Sequence, residues 1–167
     1  MRIYLLGFMG SGKSSLGKRL AKKLNYPFSD IDEEVEALAG MSIPDIFLKY
    51  GESRFRQLEQ QALHISIHFH KAVIATGGGT PCFFDNMEFI NTHGVSVYLR
   101  MSSASLAYRL EHAQKQRPLV ENYASEELLS YIEEKLQERE PYYLQSRCII
   151  KGETVKVDQI ISLVFGH

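Results

Sequence analysis

Residues 1–15 read MRIYLLGFMGSGKSS, and the stretch after Leu6 decides the fold. RIYLL (2–6) is a continuous apolar run, the pattern of a strand buried on both faces. It passes directly into Gly7-Phe8-Met9-Gly10-Ser11-Gly12-Lys13-Ser14, which fits G-x-x-x-x-G-K-S. SSLGKRLAKKLN (14–25) comes next, with Leu16, Leu20 and Leu24 forming one apolar helix stripe. Strand, glycine loop and helix in this order are the setting in which the motif, a P-loop, cradles phosphate. Its glycines let backbone N–H groups converge on phosphate oxygens without Cβ interference. The helix N-terminus adds its positive dipole end. On this pattern Gly10, Ser11, Gly12, Lys13, Ser14 and Ser15 hold the nucleotide. Lys13 reaches the β- and γ-phosphates, and the Ser14 hydroxyl ligates Mg²⁺. A plain glycine turn beside a surface lysine would not need that placement.

Outward from the loop, short β-rich runs alternate with helical patterns. Strands are expected at PFSD (27–30), KAVIAT (71–76), VSVYLRM (95–101) and RCIIK (147–151). Helices are expected at DEEVEALAG (32–40), SIPDIFLKYG (42–51), SRFRQLEQQALHISIHF (53–69), FDNMEFINTHG (84–94), SASLAYRLEHA (103–113), SEELLSYIEEKLQER (125–139) and KVDQIISLVF (156–165). Ser42 is a candidate N-cap, and Gly40 and Gly51 stand at plausible C′ positions. The alternation predicts an α/β fold, a parallel sheet with helices on both faces and right-handed crossovers. Ligands bind such sheets at the carboxyl ends of the strands. Residues 7–14, 30–32, 77–79 and the segment after the fourth strand should therefore share one rim.

The chain has 167 residues, 44% hydrophobic and 23% charged, which suits one soluble globular domain. Nineteen basic and 20 acidic residues leave a net charge of −1, so no chain-wide field favours nucleic acid or an anionic membrane. Cys82 and Cys148 form no spaced metal motif. IYLL is too short for a signal-peptide core, and no apolar stretch could span a bilayer. The expectation is a cytoplasmic protein.

A P-loop fits a kinase, a GTPase or a motor. The guanine-selecting N-K-x-D is missing, which leaves a compact kinase with a small-molecule acceptor. Asp30 and Asp32 in FSDID end the second strand on the P-loop rim. They could orient Mg²⁺ through water or take a proton from an attacking hydroxyl; Asp32 could equally serve as an N-cap. Arg56 lies near a helix start, where the dipole does not favour a cation, although Glu52 and Glu59 offer it salt bridges. Gly77, Gly78 and Gly79 clear side chains from a strand's carboxyl end, as if a backbone must approach a ligand. Arg117, in the polar stretch QKQRPLVENYA (114–124), suits a lid that closes over transferring phosphate. Arg139 ends a predicted helix, a place that favours a cation structurally as well.

GFMGSGKSS, DID, the FR of SRFRQLE, ATGGG, QRPL and REPYY stand in this order, at about these distances, in shikimate kinases. The chain resembles that family from its first strand through Pro141. The resemblance implies a P-loop kinase related in fold to nucleoside monophosphate kinases: a three-layer sandwich with a five-stranded parallel sheet and a mobile lid. It divides the single domain, 1–167, into a core (1–31, 71–111, 125–167), a substrate-binding region (about 32–70) and a lid (about 112–124). The implied partners are ATP and shikimate, with Mg²⁺ as cofactor, and the implied state is a monomer.

By position, the resemblance makes Lys13, Asp32 and Arg117 catalytic. Ser14 ligates the metal and Asp30 supports it through water. Asp32 hydrogen-bonds the attacking shikimate hydroxyl, Arg56 and Arg139 clamp the shikimate carboxylate, and the Gly78 N–H contacts the same substrate. Arg117 closes from the lid onto the ATP phosphates. Arg109 fits a position beside adenine, while KGETVK (151–156) matches the facing loop only loosely. Two arginines and an aspartate also describe, on physical grounds, a site for a hydroxylated organic acid.

Three other readings compete. His64 and His68 share a spacing that can place two metal ligands on one helix face, but no third ligand stands near and H-E-x-x-H is missing. A gluconate kinase, or another small hydroxy-acid kinase, would share the P-loop and lid. A non-catalytic nucleotide-binding module would tolerate loss of Lys13, Asp32 or the lid arginine, and all three are present.

Overall fold

In the computed structural model, which describes residues 1–113 and 125–166, β1 (Arg2–Leu6) is the centre of the molecule. Ile3, Tyr4, Leu5 and Leu6 are fully buried, as an unbroken apolar strand requires. Alternation along β1 sends Ile3 and Leu5 into one core and Tyr4 and Leu6 into the other. The first core is completed by α1 (Lys13–Leu24) and α7 (Val157–Phe165), which contribute Leu16, Leu20 and Ile160. The second is filled from α2 (Ile31–Ala39), α3 (Ile43–Ile65), α4 (Asn86–His93), α5 (Ser103–Glu111) and α6 (Ser125–Tyr143). The three-layer sandwich is thus two helical layers on one sheet.

That sheet also contains β2 (Phe28–Asp30), β3 (Ala72–Ala75), β4 (Val95–Arg100) and β5 (Cys148–Lys151), in the order β2-β3-β1-β4-β5. All four pairings are parallel. The chain leaves β1 for β2 and β3 on one side, then crosses to β4 on the other. β1 therefore ends where strand order reverses, the place where open sheets open a ligand crevice.

The caps follow the sequence closely. Ser42 accepts from the Asp45 N–H at 3.3 Å, and Gly40 closes α2 in the left-handed conformation (φ 67°). Gly51 has φ 81° and ψ 176°, so α3 is two helices joined at a kink, as its glycine predicts. Two details differ. The N-cap of α2 is Asp30 rather than Asp32, because the helix begins at Ile31. And α6 does not stop at Arg139; it runs through Pro141 to Tyr143, leaving Arg139 a turn inside the helix. Packing of Tyr143, fully buried against Tyr98, holds the last turn despite the missing proline N–H.

Candidate active site

The P-loop is shaped by glycines in conformations that other residues rarely adopt. Gly10 (φ 84°) and Gly12 (φ 91°) occupy the left-handed region, and Gly12 is also the N-cap of α1. A Cβ on Gly10 would lie 3.1 Å from Leu110, and one on Gly12 would lie 3.2 Å from Arg109 Nη1. Lys13 is buried and folds back over its own loop, Nζ donating to Gly7 O at 2.5 Å and Phe8 O at 3.1 Å. Ser14 and Ser15 are exposed on the first turn of α1. Ser11 is buried.

Ser14 Oγ donates to Asp30 Oδ2 at 2.5 Å, joining the start of α1 to the end of β2. The other Asp30 oxygen accepts the Asp32 N–H at 2.9 Å, so one carboxylate both caps α2 and faces the P-loop. A hydroxyl and a carboxylate oxygen side by side on this rim are the hard oxygen donors that suit Mg²⁺.

Next to this pair, the strand order brings the three glycines after β3 against the P-loop. A Cβ on Gly78 would lie 3.3 Å from Met9 N. The glycines clear space chiefly for charged side chains. A Cβ on Gly77 would meet Asp32 Oδ1 at 2.9 Å and Glu59 Oε2 at 3.0 Å; one on Gly78 would meet Arg139 Nη1 at 3.2 Å; one on Gly79 would meet Arg56 Nη1 at 2.5 Å. None of the three has positive φ, so volume rather than backbone conformation demands glycine here. Asp32, Arg56 and Arg139, from three different helices, thereby converge on one short loop.

Arg56 is buried and held by carboxylates along its own helix: Nη1 donates to Glu59 Oε1 at 3.0 Å and Nη2 to Glu52 Oε1 at 3.3 Å. The expected local salt bridges thus form, and they aim the guanidinium at Gly79. Glu59 is 1% exposed and also accepts from Thr80 Oγ1 at 2.9 Å, while Thr80 Oγ1 accepts the Gly77 N–H at 2.8 Å. Burial pushes the Glu59 carboxyl above its ordinary range, against the pull of Arg56, Thr80 and Arg139. Burial likewise pushes the Cys82 thiol up to about 11, with Arg139 and Arg56 pulling it down. Tyr143 Oη donates to Gly78 O, and burial raises that phenol far enough to keep it a donor. Arg139 Cζ stands 5.4 Å from the Phe8 ring.

On the far side of the P-loop, Arg109 Nη1 lies 3.5 Å from Gly10 O, and Nη2 bonds the carbonyl of Glu153. Arg109 and the 151–156 loop are therefore neighbours, although the sequence match at that loop is loose. Arg117 and the expected lid from residue 114 onward lie outside the described residues. His64 stacks on Phe89 at 4.4 Å, and α3 ends at Ile65, so His64 and His68 do not share a regular helix face. Among the described residues no cluster of three His, Cys, Asp or Glu could hold a metal, and no helix is long and apolar enough to cross a membrane.

Sequence reading missed Thr80, Phe83 and Tyr143 as parts of this site. Tyr143 ends the REPYY motif, and its spacing of four from Arg139 was the available signal. Thr80 and Phe83 had none beyond following the triple glycine.

The shikimate kinase family model matches residues 9–165. A shikimate kinase of Phocaeicola vulgatus is 43% identical over 155 residues, spanning 93% of this chain and 89% of the relative. The crystal structure of a shikimate kinase from Bacteroides thetaiotaomicron superposes with a TM-score of 0.94 at 38% identity, covering 98% of this chain and 97% of that one. A shikimate kinase from Acinetobacter baumannii, solved in complex with shikimate, gives a TM-score of 0.84 at 33% identity, covering 98% and 92%. A gluconokinase from Sinorhizobium meliloti shares only the fold, at TM-score 0.58 and 18% identity over 99% and 90% of the two chains. Matched along nearly its whole length in sequence and in structure, the chain belongs to the shikimate kinase family.

Proposed function

We propose that this chain transfers the γ-phosphoryl group of ATP to a ring hydroxyl of shikimate, giving shikimate 3-phosphate on the route to chorismate and the aromatic amino acids. One observation carries the reading. Arg56, Arg139 and Asp32 converge on Gly77, Gly78 and Gly79 directly beside the P-loop. Two guanidinium groups suit a carboxylate, and one carboxylate suits a hydroxyl; their placement beside a phosphate cradle makes the hydroxyl a phosphoryl acceptor.

In this mechanism residues 10–15 hold the ATP phosphates, with Lys13 moving from the carbonyls of Gly7 and Phe8 onto the β- and γ-oxygens. Arg56 and Arg139 bind the shikimate carboxylate, and the Gly78 N–H supports it. The acceptor hydroxyl is then oriented by Asp32, which accepts its proton as the oxygen bonds to γ-phosphorus and the bond to the β-bridging oxygen breaks, releasing ADP. Ser14, with Asp30 through water, would hold Mg²⁺. When bound, that ion neutralises charge on the β- and γ-phosphates. Arg109, with the 151–156 loop, flanks the adenine, and Arg117 closes from a lid spanning about 112–124. That lid completes one kinase domain with the core and the substrate region at 32–70.

The reading takes the enzyme as a monomer acting on small molecules, with no nucleic acid or membrane partner. ATP as co-substrate and two cysteines without a disulfide suit the cytoplasm. The test is ADP release from Mg-ATP with shikimate, with gluconate or with no acceptor. Release dependent on shikimate supports the assignment. Release with gluconate, or without any acceptor dependence, overturns it.

A further inference from the structure

The guanidinium of Arg56 is gripped at its edges by Glu59 and Glu52, but carboxylates at an edge do not stop a planar group from rotating out of its plane. Aromatic rings can. Arg56 Cζ stands 4.0 Å from the centroid of the Phe83 ring and 5.0 Å from that of Phe55. At these distances a guanidinium is attracted to the ring face and keeps its N–H donors directed outward in its own plane.

Phe55 is the residue before Arg56 on the same helix. Phe83 comes from elsewhere and reaches Arg56 through a distorted loop. A short 3₁₀ turn, Thr80–Cys82, succeeds the three glycines; Phe83 is extended, and Phe84 has φ 52°. A left-handed backbone is costly for a bulky aromatic and persists only where its surroundings enforce it. Here the two adjacent rings part, Phe83 half-buried against Arg56 and Phe84 59% exposed. Asn86, fully buried, locks the loop: Nδ2 donates to Thr80 O at 2.8 Å, and its backbone N–H to Phe83 O at 3.2 Å.

We propose that Phe83 is a positioning residue for the acceptor's carboxylate, acting through Arg56 by fixing the plane of its guanidinium. A carboxylate bound by two parallel N–H···O bonds must be coplanar with its arginine, so a tilted Arg56 loses one of them. The proposal rests on shikimate being the acceptor. Shikimate-dependent turnover by the unaltered enzyme tests that reading separately, so failure of one is distinguishable from failure of the other.

The experiment compares Phe83→Leu, Phe83→Met and Phe83→Tyr with the unaltered enzyme, each also in an Arg56→Ala background. Measured are KM for shikimate, KM for ATP, kcat and Tm. The two non-aromatic variants should raise the shikimate KM roughly 3- to 10-fold, the range of a partly desolvated cation–π contact. Their ATP KM should stay within about twofold, and Phe83→Tyr, which keeps the ring face, should match the unaltered enzyme. In the Arg56→Ala background the Phe83 changes should add nothing, because Phe83 acts only through Arg56. An unchanged shikimate KM in Phe83→Leu and Phe83→Met overturns the proposal. So does an equal rise in both KM values together with a fall in Tm, or an effect that persists without Arg56.

Discussion

Gly79 stands where any Cβ would fall 2.5 Å from Nη1 of Arg56 and 2.9 Å from its Cζ. A main-chain position on one loop thus dictates where the tip of a side chain on α3 can lie. Gly79→Ala should expel the Arg56 guanidinium without unfolding the protein, since the displaced group is the far end of a flexible side chain. The shikimate KM should rise at least about tenfold, while Tm falls by no more than about 5 °C. A large loss of Tm with the shikimate KM unchanged would show that the glycine serves the fold alone.

Asp30 caps α2 with one oxygen and accepts Ser14 Oγ with the other, and its proposed metal support can be separated from the cap. Asparagine accepts the Asp32 N–H as aspartate does, but lacks the charge that a divalent cation favours. Asp30→Asn should preserve Tm and raise the Mg²⁺ concentration needed for half-maximal activity by about tenfold or more. Titration of Mg²⁺ at fixed ATP decides it; an unaltered requirement would remove Asp30 from the metal site.

Lys13→Met should lower kcat by about 10²–10³, the scale of losing one charge-stabilising donor at a reacting group. Calorimetric binding of shikimate should be unchanged, because Lys13 lies on the phosphate side of the site. Loss of shikimate binding instead would mean that the contacts to Gly7 O and Phe8 O hold up the acceptor pocket as well.

Glu59 carries a pH signature. Its carboxyl is raised above the ordinary range mainly by burial, so the folded protein holds this proton more tightly than the unfolded chain. The resulting stability is fully present below the unfolded carboxylate range and is lost as pH rises through the raised value. Relative to Glu59→Gln, which cannot ionise, the unaltered protein should therefore lose Tm advantage as pH rises from about 4. Melting both proteins between acid and neutral pH tests this. A gap that grows with pH would show that pairing with Arg56 outweighs burial.

Much of the site's inventory was legible before any fold was known, because its members lie in short local patterns. The P-loop is contiguous, Asp30 and Asp32 stand at a strand's end, and Glu59 stands one helical turn after Arg56. Helix ends were legible where a cap is local chemistry, as at Ser42, Gly40 and Gly51. They were not where distant packing intervened: α6 continues past Arg139 because Tyr143 packs on Tyr98, a partner 45 positions away by residue number.

By itself, the sequence determined the alternation of strand and helix, the glycine-rich P-loop and the identity of the charged residues available to the candidate site. Each of these depends on neighbours within a few positions, where periodicity and backbone conformation are encoded directly. Only the tertiary structure decided how those residues meet. The order β2-β3-β1-β4-β5 sets three glycines beside the P-loop, and their missing side chains admit Asp32, Arg56 and Arg139 from separate helices. Phe83 gains its contact with Arg56, and Tyr143 its bond to Gly78, from the same folding. Such contacts arise from strand order and packed volume, which no local pattern of residues specifies.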